Sequence, residues 1–268
     1  MQGREEAVTK RRTVVMQGAA MLATAIVPLT FTRRGTAQSL PGPLHERQIS
    51  GLVSGGTAGV PDTLPAPVFR AEAQCTVTLN KTLGPCHTND VPIRHDVTEG
   101  VTGLPMRVSL RVVEANGCKP IENADVEIWH ADVSGVYSGR AAEMCNPDDE
   151  TARNAGFLRG RQMTDSDGVA NFLTVYPGWY RGRAPHIHLR VLVDDHELLI
   201  SQLLFDDALN DIIYGQHADY ADRHPRDTMN DRDFVFSRSE VERFTFDVET
   251  LDIGILQASY TIGLAART

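Results

Sequence analysis

The chain has 268 residues, 41% of them hydrophobic, which suffices to bury one large core or, less favourably, two small ones. Its 26 lysines and arginines face 35 aspartates and glutamates, giving a formal net charge of −9. That balance argues against nucleic acid or anionic membrane as a partner, because the average surface repels both.

Residues 1–37 are expected to be a cleavable signal peptide. Lys10, Arg11 and Arg12 precede a moderately apolar run from Thr13 to Phe31, and Gly35-Thr36-Ala37 follows as a small-residue cleavage region. The Arg11-Arg12 pair ahead of Val14-Val15 resembles a twin-arginine signal, so a periplasmic or extracellular location is expected, with no membrane association after cleavage. An uncleaved anchor is the alternative. Gln17, Gly18, Thr24, Pro28 and Thr30 weaken it by leaving the run barely long enough to span. Residues 38–74 are rich in Gly, Pro, Ser and Thr and show neither a helical nor a strand period, so a linker or loosely attached arm is expected.

From Cys75 to the end, residues 75–268, short strand-like runs are broken by turns. Val108, Leu110 and Val112 alternate with Arg107, Ser109 and Arg111, predicting a half-buried strand over Met106 to Glu114 that ends at the Asn116-Gly117 turn. Further strands are predicted over Ala124 to Ala131, Val169 to Val175, His186 to Val193 and Leu198 to Phe205. Edge strands are predicted over Arg243 to Val248 and Ser259 to Leu264, and helix only in short pieces such as Asp206 to Tyr214. Many short strands at regular spacing imply an all-β fold, a β-sandwich with long loops and short helical pieces. Asp165-Ser166-Asp167-Gly168 reads as a turn, because it lacks the third ligand position and closing Glu of an EF-hand.

The four cysteines, Cys75, Cys86, Cys118 and Cys145, favour disulfides in an exported chain, and the three pairings that four cysteines allow stay open. No Cys-x-x-Cys spacing supports zinc.

The densest chemistry lies in Tyr176 to Val191, YPGWYRGRAPHIHLRV. Pro177-Gly178 marks a turn, after which Ile187, Leu189 and Val191 share one strand face and His186, His188 and Arg190 the other. At a rise of roughly 3.3 Å per residue the two imidazoles start about 6.6 Å apart, a span they can lean across to meet on one ion. A strand with two polar residues on its wet face is the plain alternative. His45, His87, His95, His130, His196, His217 and His224 show no ligand spacing and are expected as surface or core histidines.

Taken in order, GCKPIENADVEIWHADVSGVYSG, TDSDGVANFLTVYPGWY, RAPHIHLRV and ISQLLF resemble the intradiol ring-cleavage dioxygenases over roughly Cys75 to Phe205. The specific part is the ordered set Gly-x-Tyr, Pro-Gly-x-Tyr and Arg-x-x-His-x-His. The resemblance implies a transthyretin-like sandwich core and a non-haem Fe(III) held by Tyr137, Tyr180, His186 and His188. It also implies that Tyr180 leaves the metal as a base, that Arg183 stands beside the substrate ring, and that Gln202 is a polar pocket residue. The donor set suits the ion: phenolates are hard anionic oxygens, and neutral imidazoles complete the shell. The implied partners are a catecholic substrate and O2, with a homo-oligomer left open. Gly84-Pro85-Cys86-His87 departs from the Gly-Pro-Tyr-Tyr of many relatives, and the short stretch from Tyr180 to His186 is nearer the exported branch. A non-catalytic transthyretin-like binding module is the runner-up. A cupin is rejected, because it wants a Glu three or four residues after His188, and Glu197 comes too late.

Overall fold

In the computed structural model, residues 51–70 and 75–265 are described; the expected signal peptide, 1–37, lies outside them. Among the described residues, eight strands form two four-stranded sheets. The first has the order β4-β1-β8-β7, made of β1 (Pro105–Glu114), β4 (Val169–Val175), β7 (Asp247–Thr250) and β8 (Leu256–Leu264). The second has the order β3-β2-β5-β6, made of β2 (Asp125–Trp129), β3 (Arg159–Met163), β5 (His186–Val193) and β6 (His196–Leu204). Neighbours are antiparallel except β1 and β8, which run parallel. Val108, Leu110 and Val112 of β1, Phe172 of β4 and Ile262 of β8 meet Val126 and Ile128 of β2, Ile187 and Leu189 of β5 and Leu203 of β6 in one buried core. This is the interdigitated interior of a β-sandwich.

The polar face of β1 is not half-exposed as its alternation suggested. Arg107 and Ser109 are buried, because Arg107 donates to Pro65 O at 2.6 Å and to Gln257 Oε1, and Ser109 donates to Asn171 Oδ1 at 2.6 Å. Residues 51–70, the described part of the expected linker, lie along this sheet. Val53 N–H donates to Gly254 O at 2.9 Å, Gly56 N–H to Gly103 O at 2.9 Å, and Arg70 pairs with Asp247. Among the described residues the α-helices are α1 (Glu150–Asn154) and α2 (Asp207–Gln216), the second capped by the Asp206 carboxylate. Asp165 Oδ1 accepts from the amides of Asp167 and Val169, as the turn reading requires. The cysteines pair Cys75–Cys118 and Cys86–Cys145.

His130, just past β2, ties the sheets together. Its Nδ1–H donates to Ala131 O at 2.9 Å, and in the neutral ring its Nε2 accepts from Thr174 Oγ1 at 2.7 Å. Burial pushes its pKa down to about 4, with the Arg159 charge adding a smaller push and the bond to Ala131 opposing. The unfolded chain, with a histidine pKa near 6.5, takes up the proton first. The contribution is therefore whole above pH ~6.5 and is lost as pH falls toward the folded value. Equilibrium unfolding of the protein and of His130→Gln at pH 7 and pH 5 checks this. The stability gap between them is expected to shrink by about 2 kcal/mol at the lower pH.

Candidate metal centre

Both histidines of β5 are buried, each 2% exposed, so the wet-face alternative does not hold. The period of the strand puts Ile187 and Leu189 in the core and sends both imidazoles to the opposite face, which loops roof over. One loop follows β2. Asp132 Oδ1 accepts from the amides of Ser134 and Val136, a turn that brings Tyr137 back over the sheet. The other follows β4. Gly178 is required there by close approach, since a Cβ would stand 2.2 Å from Asp132 O and 2.4 Å from Val133 O. The two tyrosine-bearing loops thereby touch at their bases. A tight turn then closes with Arg183 N–H donating to Tyr180 O at 3.0 Å, placing Tyr180 and Arg183 side by side.

Four donor atoms converge. His186 Nε2 lies 3.3 Å from Tyr137 Oη, 3.2 Å from Tyr180 Oη and 3.2 Å from His188 Nε2. His186 Nδ1–H donates to Ala184 O at 2.7 Å, so its Nε2 carries the lone pair. Two hydroxyls and a second imidazole thus crowd a single acceptor, whereas a cation among them would accept from all four. His188 Nδ1 is buried without a hydrogen-bond partner, and its ring is fixed instead by stacking on Trp129, centroids 4.9 Å apart and 13° from parallel. Among the described residues no group of three or more His, Cys, Asp and Glu has metal-binding geometry. The set that does converge is mixed phenol and imidazole, which fits a hard trivalent ion.

The electrostatics leave all four side chains neutral. Burial pushes the Tyr137 phenol well above its ordinary range, and neighbouring Tyr180 adds to the push. Burial also raises Tyr180, against which the Arg183 charge pulls. Burial holds His186 and His188 well below their usual range, so both rings are neutral lone-pair donors. A bound cation would reverse the phenol shifts by stabilising the phenolates directly.

Arg183 and Gln202, expected near the site, are both brought to it. Arg183 Nη1 reaches Tyr180 Oη at 3.2 Å, and Nη2 donates to Gln202 Oε1. Gln202 Nε2 in turn donates to Thr82 O at 2.7 Å. Asp233 was missed by sequence reasoning. It is 2% exposed and accepts from Arg183 Nε at 2.9 Å and from the amides of Ala184 and Val235 at 2.9 Å each. No motif announces it, because it lies fifty residues from Arg183 in a short polar stretch. Trp129, Arg159 and His87 were also missed as supports. Arg159 lies over the Tyr137 ring, Cζ 6.0 Å from its centroid, and His87 meets the edge of Trp129 while bonding Glu127 Oε1 at 2.8 Å. Phe234, 79% exposed, packs its ring 5.2 Å from the Arg183 Cζ and marks the side open to solvent.

The chain is similar to known proteins in sequence and in fold. The sequence model of a family described as Dioxygenase matches residues 82–223. The protocatechuate 3,4-dioxygenase beta chain of Burkholderia cepacia is 33% identical over 128 residues, covering 42% of this chain and 52% of that protein. A catechol 1,2-dioxygenase of Acinetobacter baylyi is 32% identical over 111 residues, covering 34% of this chain and 33% of that protein. The chain thus spans about half the length, or less, of these curated relatives. Among solved structures, an intradiol ring-cleavage dioxygenase from Tetranychus urticae aligns with TM-score 0.63 and 30% identity, over 72% of this chain and 98% of its own. On this evidence the chain belongs to the intradiol ring-cleavage dioxygenase family.

Proposed function

We propose that the chain is a non-haem Fe(III) intradiol dioxygenase, which opens a catechol-type ring between its two hydroxylated carbons with O2 to give a muconate-type diacid. The observation that carries this is the convergence of Tyr137, Tyr180, His186 and His188 on one buried point. When bound, ferric iron supplies Lewis acidity and accepts electron density from a chelating catechol, which makes the ring reactive toward dioxygen.

The residues divide the remaining work. Tyr137, 1% exposed and hydrogen-bonded through its backbone on both sides, would hold the ion as a phenolate. Tyr180 is half-buried, and its oxygen takes a catechol hydroxyl proton as the general base. Arg183 steadies the phenolate before that transfer and faces the electron-rich ring after it, its guanidinium preset by Asp233 on one edge and Gln202 on another. A transthyretin-like binding module has no use for such a buried set of donors.

Metal analysis and the visible spectrum of purified protein test the ferric reading. Iron near one equivalent with a tyrosinate-to-Fe(III) absorption band is expected. A colourless protein, or one loaded with zinc after growth with both metals, would contradict it.

A further inference from the structure

Two segments far apart in sequence meet over the metal centre, and one covalent bond joins them. The first is 82–87. A Cβ on Gly84 would stand 3.0 Å from His188 Cε1, so this segment lies directly on that ring, and Leu83 packs on the cluster of Tyr137 and Trp129. The second is 137–146. Tyr137 N–H donates to Cys145 O at 2.9 Å, and the Asn146 side-chain amide donates to Tyr137 O at 3.1 Å and Gly139 O at 2.7 Å. Between them the backbone contributes Ala142 N–H to Pro85 O at 3.4 Å, a long bond. The Cys86–Cys145 disulfide joins the two, buried against Tyr137 and Trp129. Arg159 reinforces the same junction, donating to Cys86 O at 2.6 Å and to Ser138 O at 2.5 Å.

We propose that the Cys86–Cys145 disulfide is a positioning device for the metal centre, holding Tyr137 at its ligand position and the 82–87 segment over His188. The proposal rests on the ferric reading given above. Both segments are loops, whose own conformational freedom would otherwise be lost when the ion binds. The bond spans 59 residues of sequence and removes much of that freedom beforehand. Its loss therefore weakens iron retention and alters the environment of the phenolate. The other disulfide, Cys75–Cys118, ties the start of the domain to the turn after β1 and serves as the control.

The test compares the full-length protein with Cys86→Ser/Cys145→Ser and with Cys75→Ser/Cys118→Ser. Iron affinity is measured by chelator competition, the visible band is recorded, and folding is followed by circular dichroism and thermal melting. The first pair is expected to fold, to bind iron about tenfold or more weakly, and to shift the visible band. The second is expected to melt lower while keeping the affinity and band of the unaltered protein. Unchanged affinity and band in the first pair would overturn the proposal, as would equal losses in both pairs. A first pair that no longer folds would also overturn it, since the bond would then serve the core at large. If the unaltered protein itself bound no ferric iron, the ferric reading would fall first and this proposal with it.

Discussion

Tyr137→Phe, His186→Ala and His188→Ala are each expected to strip most of the iron from the protein while leaving the sandwich folded. All three donors face one point with at most 3.3 Å between paired atoms, and each is buried, so removing one leaves a weaker, incomplete set of donors around that point. Turnover should fall by well over the roughly hundredfold that loss of a supporting residue around a metal costs. Tyr180→Phe should behave differently. Its oxygen is the less enclosed phenol and is the base in the proposed reaction, so this variant is expected to keep more iron than Tyr137→Phe yet lose about a hundredfold or more in turnover. Metal content and single-turnover kinetics on the same preparations separate the two behaviours. Full iron occupancy in Tyr137→Phe, His186→Ala and His188→Ala alike would show the ligand assignment to be wrong.

The second large effect concerns Arg183. Arg183→Ala leaves the Asp233 carboxylate buried without its cation, a situation that costs about 3–5 kcal/mol of stability. The same change removes the charge beside Tyr180, which in the proposed reaction also faces the substrate ring, so turnover should drop more than iron content does. Adding Asp233→Asn separates the two consequences. The double variant Arg183→Ala/Asp233→Asn is expected to regain much of the lost stability, because the stranded charge is gone, and none of the lost turnover. Unfolding free energies and kcat on both variants decide this. Recovery of turnover in the double variant would mean that Arg183 serves only to neutralise Asp233.

The parts legible in the sequence were those with a local period or a local motif. Val169–Val175 and His186–Val193 were predicted to the residue, because alternation and flanking turn signals bounded them. The four side chains that converge could be named through the ordered motifs, although nothing in their spacing alone showed that loops would bury them. Arg159–Met163 was not predicted, since RGRQM has no apolar alternation; it is an edge strand whose pairing is supplied by β2. The buried polar face of β1 was equally hidden, because Pro65 and Gln257 cover it from opposite ends of the chain. Asp233 and the disulfide pairing belong to the same class. Each depends on contacts across 43 to 59 residues, which composition and periodicity do not encode.

Where the ring is cut tests the central claim most directly. Dioxygenases that cut beside the diol use Fe(II) with two histidines and one carboxylate, whereas the donors gathered here are phenols and imidazoles with no carboxylate among them. Phenolates favour Fe(III) and direct dioxygen toward the activated ring carbon. The measurement is to incubate the ferric protein with catechol and with hydroxylated and carboxylated catechols, then to identify the products by mass and ultraviolet spectrum. A muconate-type diacid carrying both atoms of O2 is expected. A yellow hydroxymuconic semialdehyde, or turnover that requires added ferrous iron, would contradict it.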